Sequence, residues 1–154
     1  MRFNPIPLNL PSYPFKIKEE EASVFIFDDI RKKYLLLTPE EWVRQHVVKF
    51  LIHEKNYPRT LIKLEGGLKL NALLKRTDIL IFDSSGKRVV LVECKAPSVK
   101  ITQKVFDQIA RYNFVHRTEC LIVSNGLEHY CCQIDFEQKT YRFIPEIPDF
   151  NFFK

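Results

Sequence analysis

Apolar positions along this chain alternate between two rhythms: short dense runs of four to seven residues, and longer stretches in which they recur every three or four positions. The first rhythm predicts strands and the second amphipathic helices. Dense runs fall at 24–27, 34–37, 77–82, 89–95 and 120–124, the last stopped by Asn125-Gly126. The stretch 61–70 reads as a strand interrupted by Gly66 and Gly67, and 129–136 with 140–144 as a C-terminal hairpin. Helical spacing begins at Thr38-Pro39-Glu40-Glu41, where an N-cap threonine, a proline at the first position and first-turn acids open a helix to about Lys55. Val43, Val47, Phe50, Leu51 and Glu54 share a stripe of it. A second helix runs from near Thr102 to about His116, with Val105, Ile109 and Tyr112 on one face.

Asp83-Ser84-Ser85-Gly86 has the chemistry of a type I turn, so 77–82 and 89–95 should pair as an antiparallel hairpin. Both faces of that hairpin are apolar, with Ile79, Ile81, Val90, Val92 and Cys94 opposite Leu80, Phe82 and Leu91. A sheet buried on both sides needs a helix on each. The expected fold class is therefore α/β, a mixed β-sheet flanked by helices on both faces, with a C-terminal β-hairpin. Residues 1–21, rich in proline, form an arm that packs on the domain or awaits a partner. Residues 24–27 and 34–37 form a small hairpin before the first helix.

Within these apolar runs stand Asp78, Glu93 and Lys95. A buried charge without a partner costs several kcal/mol, so three such groups call for a reason. A divalent cation neutralising the acids, with a phosphate to meet the lysine, supplies one. A turn centred between Ser84 and Ser85 sets Asp78 opposite Leu91, with Glu93 as its diagonal neighbour and Lys95 on the same face. Both carboxylates then reach one ion.

At 154 residues the chain is one domain, and its 45 % hydrophobic share with 13 % aromatics fits a globular protein. No run approaches the ~18 apolar residues of a membrane span and the first residues lack a signal-peptide core, so the expected address is the cytoplasm, with no membrane partner. The four cysteines have no zinc spacing and are expected as reduced thiols. Histidines at 46, 53, 116 and 129 are scattered and are expected to be structural or exposed. The net charge of +5 is unevenly spread: residues 38–118 carry fifteen bases against eight acids, and residues 119–154 three against six. A basic surface beside paired acids suits a nucleic acid, gripped by its phosphates.

Thr-Pro-Glu-Glu-Trp-Val-Arg-Gln (38–45), Lys-Arg-Thr-Asp (75–78), Val-Glu-Cys-Lys-Ala-Pro (92–97) and Gln-Ile-Ala-Arg-Tyr (108–112) together resemble a PD-(D/E)xK nuclease. The resemblance runs from about residue 34 to 130. It is specifically to the nuclease domain at the N-terminus of the motor subunit of type I restriction enzymes and to its small stand-alone bacterial relatives. It implies a restriction-endonuclease-like fold and a magnesium-dependent deoxyribonuclease, expected to be an endonuclease, with manganese able to substitute. Carried over, it implies Asp78 and Glu93 as metal ligands, the Cys94 carbonyl as an additional one, and Lys95 as the group that orients or deprotonates the attacking water. A first-helix glutamate completes such sites; Glu40 and Glu41 compete, and helical angles favour Glu40. The Gln108-x-x-x-Tyr112 spacing is similar to that of RecB-like nucleases, which would let Gln108 bond a catalytic carboxylate or the scissile strand. Thr77 departs from the proline of the family pattern. DNA is the implied substrate, with a homodimer or a restriction-system protein as further partners. The alternative is a non-cleaving module that binds nucleic acid or a partner.

Overall fold

A computed structural model describes residues 4–64 and 79–153. Three short antiparallel strands, β1 (Ile17–Glu20), β2 (Ser23–Asp28) and β3 (Lys33–Leu36), form a small sheet in that order. The expected β2–β3 hairpin is present, with Phe25 opposite Leu36 and Phe27 opposite Tyr34. The end of the proline-rich arm differs from a simple arm: residues 17–20 add β1, pairing Ile17 with Ile26. All four β1 residues are exposed, so its sequence carries no apolar alternation by which to find it.

Helix α1 (Pro39–Glu54) follows. The Thr38 side chain accepts from the Glu41 amide at 3.0 Å, satisfying a first-turn donor that has no partner within the helix. After a 3-10 turn at Arg59–Leu61 come the six strands of the main sheet, ordered as in the sequence. They are β4 (Ile62–Leu64), β5 (Ile79–Phe82), β6 (Arg88–Cys94), β7 (Cys120–Ser124), β8 (His129–Asp135) and β9 (Thr140–Ile144). Every pairing is antiparallel except β6 with β7, whose crossover is helix α2 (Gln103–His116). Parallel neighbours need such a crossover, which is why a helix divides these two strands in sequence. Thr102 caps α2 by accepting from the Val105 amide. Arg117, in the left-handed region at φ 57°, ends it.

The helices cover opposite faces. Val43, Val47 and Leu51 of α1 share one core with Ile79, Ile81, Val90, Val92 and Cys94. Phe106, Ile109 and Ala110 of α2 share the other with Leu80, Leu91, Leu121 and Val123. The buried stripe of α2 centres on Phe106 rather than on Val105, which is only partly buried; the side chain of Tyr112 lies outside the description. In α1, Glu54 is exposed and does not continue the Val43–Val47–Leu51 stripe.

The β5–β6 register corrects the expected one. Leu91 faces Leu80, and Ile79 faces Val92, a shift of two residues. Two insertions account for it. Gly86, at φ +89°, follows the turn as an extra residue, so that Asp83 pairs with Lys87 rather than with Gly86. A bulge between Ile81 and Phe82 then absorbs Val89. Each alone would exchange the faces of the strand; together they restore them.

The N-terminal arm is held by backbone and packing. The Asn9 amide donates to the Gly126 carbonyl at 2.8 Å, and Leu8 and Leu10 pack on the α1 core. Gly126 sits at φ +87°, and a Cβ there would lie 2.8 Å from a Leu8 methyl and 3.1 Å from a Val43 methyl. Gly126→Ala is expected to destabilise the fold by about 1–3 kcal/mol through strain and overpacking, measured by urea unfolding; an unchanged midpoint would show that the arm does not close on this turn. Further along, Phe15 and Trp42 enclose the His46 ring at 4.9 and 4.4 Å between centroids. Its Nδ1–H donates to the Trp42 carbonyl at 2.8 Å. Burial lowers the His46 pKa below its usual 6.5, outweighing that hydrogen bond. The unfolded chain therefore binds a proton first, so this stabilisation is complete above pH 6.5 and is lost as the pH falls below it. His46→Phe should flatten the fall in unfolding free energy between pH 7 and pH 5, and the same slope in both proteins would rule the histidine out as its source.

Candidate functional site

Strand β6 carries Glu93 and Lys95 to the C-terminal end of the sheet. Glu93 is 6 % exposed, lies beside Val123 of β7, and alternates with Leu91 on the α2 face. Lys95 Nζ stands 3.3 Å from Glu93 Oε1, with 18 % of the lysine side chain exposed. Charge here is tolerable for two reasons: the pair compensates itself, and the strand ends within reach of water. The Cys94 side chain between them points to the α1 core. Asp78 lies outside the described residues, as does Glu65. The described ladder ends with Ile79 opposite Val92, and the next residue along each chain is Asp78 on one and Glu93 on the other.

The backbone at this end is fixed by β7 and the turn after it. The Lys95 amide donates to the Ser124 carbonyl at 2.8 Å. Asn125 Nδ2 donates to the Val99 carbonyl, and its Oδ1 accepts from the Leu127 and Glu128 amides, tying the segment after Lys95 to the β7–β8 turn. His129 Nε2 lies 2.9 Å from the Asn9 carbonyl, which can only accept, so Nε2 carries the proton. In the neutral ring Nδ1 then accepts from Ser124 Oγ at 2.7 Å. Ser124, Asn125 and His129 thus support the site, and sequence spacing had not singled them out. Their only signal was the strand-ending Ser-Asn-Gly run.

The two α1 glutamates have different surroundings. Glu40 has 49 % of its side chain exposed and meets Arg44 at 3.4 Å. Glu41 is 6 % exposed. Its carboxylate accepts from Gln45 Nε2 at 2.8 Å and from Arg44, and lies 3.9 Å from Arg31. Gln45 also reaches Asp28, which is 1 % exposed and accepts from Arg31 Nε at 2.8 Å. This network ties the β2–β3 hairpin to a second side of α1, away from the Val43–Val47–Leu51 stripe. Angles measured from that stripe alone therefore favoured Glu40, while the small sheet buries Glu41.

Gln108 is exposed and lies about 200° around α2 from Phe106. The fold thus brings Glu93 and Lys95 together, and places Gln108 on the outer side of the helix. Among the described residues no group of three His, Cys, Asp or Glu is arranged to hold a metal ion. All four cysteines are buried and outside disulfides; Cys131 and Cys132 face opposite cores, and burial pushes the Cys132 thiol up to about 12. A thiol protonated at neutral pH is a poor nucleophile, which argues against thiol chemistry.

A mixed sheet with a helix on each face and a Glu-x-Lys pair at the end of a central strand defines a class of α/β domain with charge gathered at one sheet end. The sequence model of the family described as type I restriction enzyme R protein N terminus matches residues 39–148. This chain belongs to that family, a restriction-enzyme domain. No sequence among the curated proteins matches it. Among the described residues no helix is long and apolar enough to cross a membrane.

Glu41→Ala should destabilise the protein by about 3 kcal/mol, because it removes the buried carboxylate that joins Arg44 and Gln45 beside half-buried Arg31. Glu40→Ala should stay within about 0.5 kcal/mol, as exposed pairs do. Equal losses in urea titrations of the two variants would contradict the burial difference.

Proposed function

We propose that this chain is a metal-dependent nuclease that hydrolyses phosphodiester bonds in DNA, acting as an endonuclease in a restriction system. The observation that carries the proposal is the buried Glu93 with Lys95 3.3 Å away, at the end of the strand whose ladder stops one residue short of Asp78. Membership of the restriction R-protein family supports DNA as the substrate.

In this proposal Asp78, Glu93 and the Cys94 carbonyl hold Mg2+, with Mn2+ able to replace it. Oxygen ligands of this kind suit a hard cation. An ion bound there would supply a water of lowered pKa and would screen the phosphate charge. Glu93 contributes a negative charge whose position is set by β6 and β7. Lys95 holds its ammonium at the same end of the sheet, where it orients the water and offsets negative charge growing on the phosphate. The Ser124 carbonyl fixes the Lys95 backbone and so limits where that ammonium can reach. Glu41 is buried against Arg31 and Arg44, and the more exposed Glu40 is the α1 carboxylate assigned here to the ion. Gln108, exposed on the outer side of α2, would in this proposal touch a DNA strand rather than Glu93.

Supercoiled plasmid incubated with the protein should be nicked or linearised in Mg2+ or Mn2+ and left intact with chelator. Asp78→Ala, Glu93→Gln and Lys95→Ala should each lower the rate about a hundredfold or more. Cleavage persisting in all three would mean that this site is not the source. The second reading, a non-cleaving module, is favoured by the Lys95 ammonium 3.3 Å from Glu93, which compensates that carboxylate without an ion. Calorimetry with Mn2+ separates the two: no heat from the wild-type protein, with DNA binding intact, selects the module.

A further inference from the structure

Strand β9 is the last strand of the main sheet, and on its α2 side an aromatic row is left partly open. Phe143 is 47 % exposed. Its ring lies 5.5 Å from Tyr141, 6.3 Å from Tyr130 and 4.8 Å from Phe106 of α2, which backs the row. Tyr141 and Phe143 are alternate residues on one strand, so they repeat at about 7 Å along its edge. Toward the hairpin tip the row opens into two adjoining cavities of about 560 and 440 Å³, which share Thr140 and Tyr141. Phe136 and Phe114 pave them.

Bases rim the row. Lys104 and Arg111, seven residues apart, share the outer edge of α2 beside the side that meets Tyr141. Lys139 comes from the hairpin tip and Arg142 from the far face of β9, where it donates to Gln133 at 2.6 Å and lines one cavity; Arg117 lies over the Phe136 ring at 4.9 Å, where its planar cation is already stacked. The acids of the same walls are largely occupied. Asp107 accepts from Gln103 and Tyr141, and Asp135 accepts from the Glu137 and Gln138 amides, leaving Glu137 at the tip. With Glu128, which accepts from the Tyr130 hydroxyl at 2.9 Å, four acids stand against five bases along the row, in a segment of surface that also exposes the Phe143 ring.

Exposed rings flanked by guanidinium and ammonium groups fit unpaired bases joined by phosphates: rings stack on bases irrespective of sequence, and cations track the backbone. Duplex DNA hides its base faces and would leave the rings unused. We propose that this β9–α2 row is a binding track for single-stranded nucleic acid, engaging it on the face of the sheet that also carries Glu93 and Lys95. The proposal rests on the nucleic-acid part of the function proposed above but not on its metal chemistry.

The test uses a fluorescent twelve-nucleotide oligothymidylate and anisotropy in chelator, so that cleavage plays no part. Wild-type protein should bind it more tightly than a duplex of equal length. Arg111→Ala with Arg117→Ala should weaken binding about tenfold or more and lower the salt slope by about 1.4, at roughly 0.7 per lost phosphate contact. Phe143→Ala should weaken it about tenfold with a smaller change in slope, Phe143→Leu preserving apolar packing if the alanine variant does not fold. Lys33→Ala, on the small sheet, should bind as wild type. Photo-cross-linking with 5-iododeoxyuridine, which needs no variant, should place adducts on Tyr130, Tyr141 or Phe143. The proposal is overturned by wild-type affinity in the arginine and Phe143 variants, by adducts confined to β1–β3, by tighter duplex binding, or by a self-associated dimer that Phe143→Arg dissolves while oligonucleotide binding stays unchanged. Loss of cleavage with these binding results intact would fall on the nuclease proposal alone.

Discussion

A strand covered on both faces can carry charge only where the cover ends. Strand β6 obeys that constraint: six consecutive residues, Val89 to Cys94, are at least 94 % buried, and charge is confined to its ends, exposed Arg88 at one and Glu93, paired with Lys95, at the other. The rest of the fold follows from keeping this strand dry. Helix α1 must close one face and α2 the other, and because α2 lies between β6 and β7 in the chain, those two strands run parallel. Both strands then end together, which lets the Ser124 carbonyl fix Lys95.

Local chemistry made the helices and most strands legible. Thr38-Pro39 and Thr102 each mark an N-cap that the structure uses, because a cap is a contact between near neighbours. Long apolar runs such as 120–124 announce themselves likewise. The β5–β6 register was not legible, since it depends on where two bulges fall, and nothing in Arg88-Val89-Val90 marks Val89 as the extra residue. The faces nevertheless came out as expected, because the two errors were each one residue and of the same sense.

The choice between Glu40 and Glu41 rests on a different kind of information. A helix in contact with one surface has one buried stripe, and on that assumption Glu40 points inward. Here α1 is covered on more than one side, by the main sheet, by the β2–β3 hairpin and by the aromatic residues of the arm. A helix so enclosed has a weak amphipathic signature, and its sequence does not say which polar side chain lies inside. Glu41, Gln45 and Asp28 are buried polar groups that satisfy one another across a chain separation no local pattern reveals. Ser124 and His129 escaped for the same reason: their hydrogen bond joins the ends of two strands, and its partner Asn9 is 120 residues from His129.

These features divide the labour between the two sides of the sheet. On the α1 side polar groups are tied to one another: Glu41 to its arginines, His46 to Trp42, Tyr57 to the Pro148 carbonyl. Such satisfied groups hold the small sheet, the arm and the C-terminal turn in place, and have little capacity left for a ligand. On the α2 side Glu93 and Lys95 stand at one end of the sheet and the aromatic row of β9 lies along its edge, with basic side chains projecting from α2 and the β8–β9 hairpin. A polymer that bears a charge at every step and a flat apolar ring between charges is the kind of ligand that can use both. The asymmetry is a consequence of topology: α2 is a single crossover helix that covers the middle of its face and leaves the β9 edge open, whereas the other face is shared among three separate parts of the chain.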